Sequence, residues 1–139
     1  MGNYDHLGIE IPPAILDERQ RQLDVEHWTP AHDDLHDDGS LLVAGMFYHR
    51  SGAGLPISME ACTDASGEVT VEAPLGWPWL PEWWKPKSPR RDLERAGALC
   101  LAEIDRQCRF DSDADVSIVV MVLKDVVKAY RALAPEVAS

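Results

Sequence analysis

Apolar positions in this chain recur mostly at helical spacing. Leu41, Ala44, Gly45 and Tyr48 form one stripe across Leu41 to His49, with Asp38 or Ser40 placed to cap the start and Ser51-Gly52-Ala53-Gly54 to end it. Val116, Val119, Val120, Leu123, Val126, Val127 and Tyr130 form another, with Lys124, Lys128 and Arg131 on the polar side. The run from Val116 to Leu123 is β-branched enough for a strand. The 3.6-residue period continues past it, however, and predicts a last helix to about Leu133, capped from among Asp111, Ser112, Asp113 and Asp115. Pro12-Pro13 opens a first helix to about His27, with Ile15, Leu16, Gln20, Leu23 and His27 on one face. Trp28-Thr29-Pro30 ends it, because the residue before proline avoids helical backbone. Ser88-Pro89, a capping residue followed by proline at the first helical position, starts a helix to about Cys108. A period of two is visible only around Val69 and Val71. With the turn residues from Asp64 to Gly67 it predicts a hairpin over 57–72, which must either lie on the helices or remain mobile because a lone hairpin is marginal. Residues 1–11 show neither period and predict an extended lead-in. The expected fold is mainly α, a single domain over 1–139: a small bundle of about four helices with a short β-hairpin insertion.

Residues 76–88 stand apart from both periods. Trp77, Trp79, Trp83 and Trp84 are four of the five tryptophans, and Pro78, Pro81 and Pro86 among them exclude a regular helix or a central strand. Rings held this stiffly either pack as a lid over a helix pair or present flat faces, Trp79 and Trp83 foremost, to a base or a sugar.

Charge narrows the partners. The net charge is −11, and residues 1–40 hold ten acidic side chains against two basic ones, Arg19 and Arg21. Such a chain is unsuited to nucleic acid bound through phosphate contacts. It suits divalent cations or a basic partner protein. Three cysteines without Cys-x-x-Cys spacing argue against a disulfide framework or a structural zinc site, and point to a reducing cytoplasm. No signal peptide and no apolar run near membrane-spanning length are present, so no membrane partner is expected. Self-association is left open.

Three groups of residues could carry chemistry. His32, Asp33, Asp34, His36, Asp37 and Asp38 form an acidic loop without the offsets of an EF-hand. It is either a solvated loop capping the next helix or a donor of one or two ligands to a Mg²⁺ or Mn²⁺ site completed elsewhere. On the helix after Pro89, Asp92, Ala96, Leu99 and Glu103 share a face, which puts Glu103 at the edge of the core. Asp92 and Glu103 lie about 16 Å apart along the axis and cannot grip one ion together. Glu103 therefore either pairs with an arginine, such as Arg19, Arg21, Arg90, Arg91 or Arg95, or joins a metal ligand from another helix. Arg90-Arg91, with Lys85 and Lys87, is a basic patch at the amino end of that helix: a place for a phosphate, or a solvated helix entrance. Gly52-x-Gly54 is too short for a dinucleotide fingerprint.

In order along the chain stand Glu18-Arg19-Gln20-Arg21-Gln22, His27-Trp28-Thr29-Pro30-Ala31-His32-Asp33-Asp34-Leu35-His36, Trp77-Pro78-Trp79, Trp83-Trp84-Lys85-Pro86, and Arg90-Arg91-Asp92-Leu93 through Ala102-Glu103-Ile104-Asp105-Arg106. Together these blocks resemble a family of small uncharacterised proteins of bacteriophages and prophages. Their helical layout and scattered carboxylates are in turn similar to the all-α, MazG-like nucleoside triphosphate pyrophosphohydrolases, although the paired-carboxylate motifs of those enzymes are not matched. Where the phage family has Gly-Glu-Leu, this chain has Gly39-Ser40-Leu41, which counts against catalysis if that Glu is a metal ligand. The resemblance implies a phage-type accessory protein in the host cytoplasm, binding a basic host protein or a nucleotide signal without catalysis. Its alternative is a Mg²⁺-dependent pyrophosphohydrolase, with metal at Glu18, Asp33, Asp34 and Glu103, phosphates at Arg90 and Arg91, and the base on Trp79 or Trp83. No catalytic residue is assigned.

Overall fold

A computed structural model describes residues 4–26 and 38–133 of the chain. In order these form α1 (Pro13–Asp24), α2 (Ser40–Ala53), β1 (Met59–Thr63), β2 (Thr70–Pro74), α3 (Pro89–Phe110) and α4 (Ser117–Ala132). Short 3-10 turns occur at Asp5–Leu7 and Pro81–Trp83. This is the mainly α bundle with a two-stranded antiparallel hairpin that the hydrophobic pattern predicts.

The bundle is built around α3. Its start follows the sequence signal: Ser88 Oγ accepts from the Arg91 amide at 3.2 Å, with Pro89 in the first turn. From Ala96 to Ile104 every residue is buried, because α1, α2 and α4 all pack against this helix. Small residues allow that crowding. A Cβ on Gly45 would meet the Ala96 carbonyl oxygen at 3.3 Å, and one on Gly97 would meet the Ile15 side chain at 2.7 Å. Ile15, Leu41, Leu93, Leu99 and Leu123 bring the four helices into one core.

The valine-rich segment is helical, as its period indicates. Val119, Leu123, Val126 and Val127 are buried in α4, and Asp115 Oδ1 accepts from the Ser117 amide at 3.0 Å at its start. In α2 the stripe of Leu41, Ala44, Gly45 and Tyr48 is buried as expected, and the Asp38 carboxylate accepts from the Ser40 amide at 3.0 Å. The helix does not stop at Ser51-Gly52. It runs on to Ala53, because Gly52 lies flush against α3, and ends at Gly54, whose φ of 71° serves the left-handed cap.

Three expectations need correction. The lead-in is not extended throughout: Asp5–Leu7 make a 3-10 turn, and buried Tyr4 donates its hydroxyl to Asp105 Oδ2 at 2.8 Å. The hairpin lies two residues later than the alternation suggests, pairing Met59 with Pro74 and Thr63 with Thr70, which leaves Val69 in the turn and exposed. Most consequentially, α1 buries a polar face, Glu18, Arg19 and Gln22 beside Ile15, while Leu16, Gln20 and Leu23 are only partly covered. His27, expected at its end, lies outside the described residues. Among the described residues, no helix is long and apolar enough to cross a membrane.

Burial also sets a pH dependence. Desolvation pushes the His49 imidazole below its usual 6.5; the Asp125 charge opposes this and that of Arg50 adds to it. A folded-state pKa below the unfolded one means that stability present above 6.5 is lost as pH falls through the folded value. Asp105 acts oppositely and in a more acidic range: burial raises its carboxyl against Tyr4 and Arg19, so its contribution is lost as pH rises. Thermal melts should therefore show stability declining from pH 7.5 toward 5.5, and His49→Gln should flatten that slope. An identical slope in the variant would assign it elsewhere.

Candidate ligand cleft

The aromatic loop closes one side of the bundle. Trp77, Trp79 and Trp84 pack against the core, whereas Trp83 is 57% exposed. Their anchor is Tyr48 of α2. Its ring lies 4.8 Å from Trp84 and 5.9 Å from Trp77, and Trp77 meets Trp79 edge-on at 5.5 Å. Side-chain to backbone hydrogen bonds fix the loop further: Trp77 Nε1 donates to the Leu80 carbonyl at 3.1 Å, and the Lys85 amide donates to the Tyr48 hydroxyl at 3.2 Å. The loop covers the helices with three rings and offers Trp83 to solvent.

Between this loop, α1, α2 and α3 lies a cleft of about 680 Å³, within the size range of small-molecule pockets. Tyr48, Trp79, Trp83 and Leu99 supply much of its apolar wall. Lys85 and Arg95 bring positive charge. Lys85 Nζ sits 5.2 Å above the Trp83 ring; the Arg95 guanidinium lies 5.5 Å from the centre of the Tyr48 ring and donates to the Lys85 carbonyl at 2.8 Å. Among the described residues, neither cation has a carboxylate partner. On the α1 side the lining is Glu18, Gln22 and Glu26.

Glu18 is buried and ionised. Burial alone would raise its carboxyl, but hydrogen bonds from Arg21 and Arg91, with their charges, hold it below the usual value. Arg21 Nε and Arg91 Nη2 each approach its Oε1 at 2.8 Å. Arg91 also donates to Glu94, which accepts from the Tyr130 hydroxyl at 3.0 Å. Arg90 lies over the Tyr130 ring at 5.2 Å. The expected phosphate pair is therefore occupied in tying α3 to α1 and α4, and neither Arg90 nor Arg91 lines the cleft. Trp79 and Trp83, expected to hold a base, do line it.

Of the expected metal ligands, Glu103 is buried and paired with an arginine, though with Arg106, one turn along its own helix. Arg106 Nε and Nη2 and Gln107 Nε2 all donate to it. Glu18 and Glu103 thus have different partners, and Asp33 and Asp34 lie outside the described residues. Among the described residues, no three His, Cys, Asp or Glu side chains gather as a metal-holding group. Asp92 serves structure: it accepts from Ser51 Oγ and from the Lys87 amide, each at 2.8 Å.

Lys85, which the sequence groups with Arg90-Arg91 as a basic patch, lines the cleft, whereas Tyr48, Arg95 and Gln22 are among the lining residues to which the sequence assigns no site. Arg95 had a signal. It stands one turn beyond Arg91 and one turn before Leu99, the helical row that leads from the basic patch into the core. Comparison with protein-family models, with curated proteins and with solved structures finds no match for this chain.

Proposed function

We propose that this chain is a binding protein without catalysis, of the phage accessory type that its sequence resembles, and that it takes a nucleotide signal in the cleft beside the tryptophan loop. The observation that carries this reading is the pairing of two cations, Lys85 and Arg95, with the aromatic walls of Tyr48, Trp79 and Trp83 in a chain of net charge −11. Positive charge without carboxylate partners among the described residues, in an acidic protein, suits an anionic ligand. Flat aromatic faces beside it suit a base, since base–aromatic stacking contributes about 1–3 kcal/mol. A basic host protein, the other ligand class that the acidic surface fits, has no such feature of the cleft in its favour.

Calorimetric titration with ATP, GTP, CTP and UTP tests the reading. At least one should bind, and Arg95→Ala should weaken it roughly ten- to a hundred-fold, as loss of a charge-assisted contact predicts. Lys85→Ala removes an exposed side chain and should weaken binding without shifting the melting temperature. No binding at millimolar nucleotide, with or without Mg²⁺, would sink the reading.

A second reading, the Mg²⁺-dependent pyrophosphohydrolase, is favoured by one observation: the ionised Glu18 carboxylate lines the same cleft. To hold an ion it would need Asp33 and Asp34, and it would have to exchange arginine partners for the metal. Pyrophosphate release from a bound triphosphate on adding Mg²⁺ or Mn²⁺, lost in Asp33→Asn, would favour this reading over simple binding.

A further inference from the structure

We infer that a second groove, between α4 and the amino-terminal lead-in, is a binding site for a short chain of phosphates. Gly8, Ile9 and Glu10 line one side, and Lys124, Lys128 and Arg131 of α4 the other, around a space of about 390 Å³. None of these residues lines the cleft beside the tryptophan loop, so the site stands or falls independently of the nucleotide reading. Ile9 and Val127 supply its apolar part. Lys124, Lys128 and Arg131 are all exposed, so their charged ends are open to a ligand.

A solvated helix face does not account for this arrangement. The chain has 24 acidic side chains, yet among the described residues none forms an ion pair with Lys124, Lys128 or Arg131. Lys124 and Lys128 stand four residues apart on one helix, where like charges destabilise it. Asp125, the one acid of α4, acts on His49 of α2 instead. The helix dipole favours a cation in the last turn, which covers Arg131 but not Lys124, two turns earlier. Glu10 holds Arg131 through its backbone carbonyl, which accepts from Nη2 at 2.7 Å. That bond fixes the guanidinium across the groove, and its other N–H groups face no acceptor among the described residues. From Lys124 to Arg131 is about 10 Å along the axis at 1.5 Å per residue. A single phosphate meets one end of such a row, whereas two or three linked phosphates follow it. Their oxygens suit these donors, since arginine binds phosphate as a two-pronged fork and lysine as a point charge.

The test titrates inorganic tripolyphosphate into isotope-labelled protein and follows the backbone amides by NMR. Amides of Gly8, Ile9 and residues 124–131 should shift and saturate below millimolar tripolyphosphate at low salt, and the affinity should weaken as salt rises. Joint replacement Lys124→Gln and Lys128→Gln should weaken this binding at least ten-fold. That variant should melt no lower than wild type, because the two side chains are exposed and repel each other. Lys124→Gln alone, with a loss of about three-fold, serves if the double variant does not fold. ATP titrated in parallel separates the two sources of such a chain. Groove shifts with ATP as well support the triphosphate of a nucleotide as the occupant, and groove shifts with tripolyphosphate alone support a free oligophosphate. Shifts confined to the amides around Lys85 and Arg95 put the anion in the cleft and overturn the inference. No shift at millimolar tripolyphosphate, or unchanged affinity in the lysine variants, overturns it too. An equal response to citrate at the same ionic strength also does so, because it marks attraction of any anion and not a site for phosphates.

Discussion

Replacing Glu103 by alanine should lower the melting temperature by about 10 °C, equivalent to roughly 3 kcal/mol for a domain of this size. The carboxylate is 2% exposed and accepts three hydrogen bonds, from Arg106 Nε and Nη2 at 2.8 Å each and from Gln107 Nε2 at 2.7 Å. Arg106 is itself 11% exposed, with its guanidinium 5.9 Å from the centre of the Phe110 ring. Ion pairs in water contribute little, but this one is largely out of water. Deleting the acid leaves a positive charge at the core edge without the group that takes two of its N–H bonds. Glu103→Gln retains one carbonyl acceptor and should lose about half as much. Chemical denaturation should agree with the melts through a lower midpoint at unchanged slope. An alanine variant within about 2 °C of the parent would show that Arg106 finds equivalent partners, and would remove the structural case for this carboxylate.

Comparing Glu103 with Glu18 shows where sequence reading reached and where it stopped. Glu103 shares a helical row with Ala96 and Leu99, so its burial follows from spacing along one element. The local nature of its partner, Arg106, was available from the same spacing rule but competed with five other arginines. On the buried side of α1 only Ile15 was legible. Hydrophobic periodicity points to Leu16 and Leu23, yet the helix turns Glu18, Arg19 and Gln22 inward. Beside the local Arg21–Glu18 pair, two partners are far along the chain: Arg91 for Glu18, and Asp105 for Arg19 at 3.4 Å. A buried polar face is indistinguishable from a solvated one until its partners are known.

The cleft has the same origin. Tyr48, Lys85, Arg95 and Gln22 come from α2, the aromatic loop, α3 and α1. The sequence points to a basic patch and a tryptophan cluster, which meet where Lys85 lies over Trp83, and it expects the phosphate at Arg90-Arg91, the most concentrated charge. Arg91 of that pair is drawn onto Glu18 and Glu94. Arg95, at the end of the charged run that Arg90 begins, keeps only neutral partners among the described residues and lines the cleft.

The second large effect is expected at Gly52, and there the sign needs argument. Alanine in place of glycine within a helix ordinarily stabilises by about 1 kcal/mol, since glycine forfeits more backbone entropy. At Gly52 the added Cβ would stand 2.5 Å from Leu93 Cγ and 2.8 Å from the Pro89 carbonyl oxygen. Leu93 is fully buried and has nowhere to retreat, and the Pro89 oxygen belongs to the first turn of α3. Relief therefore requires α2 and α3 to separate, and overpacking of this kind costs about 1–3 kcal/mol, more where backbone must move. The clash exceeds the propensity gain. Gly52→Ala should be destabilised by a net of about 2 kcal/mol, a fall of roughly 6 °C in melting temperature. Separation of these helices also moves Tyr48, one turn earlier on α2, away from Arg95 on α3, so ligand affinity in the cleft should fall with stability. Ala53→Gly, the opposite change one residue on, provides the control: it should cost only the propensity difference and leave the cleft unaltered. A Gly52→Ala variant as stable as the parent would mean that α2 and α3 slide past each other freely, and the close approach of these two helices would then not set the shape of the cleft.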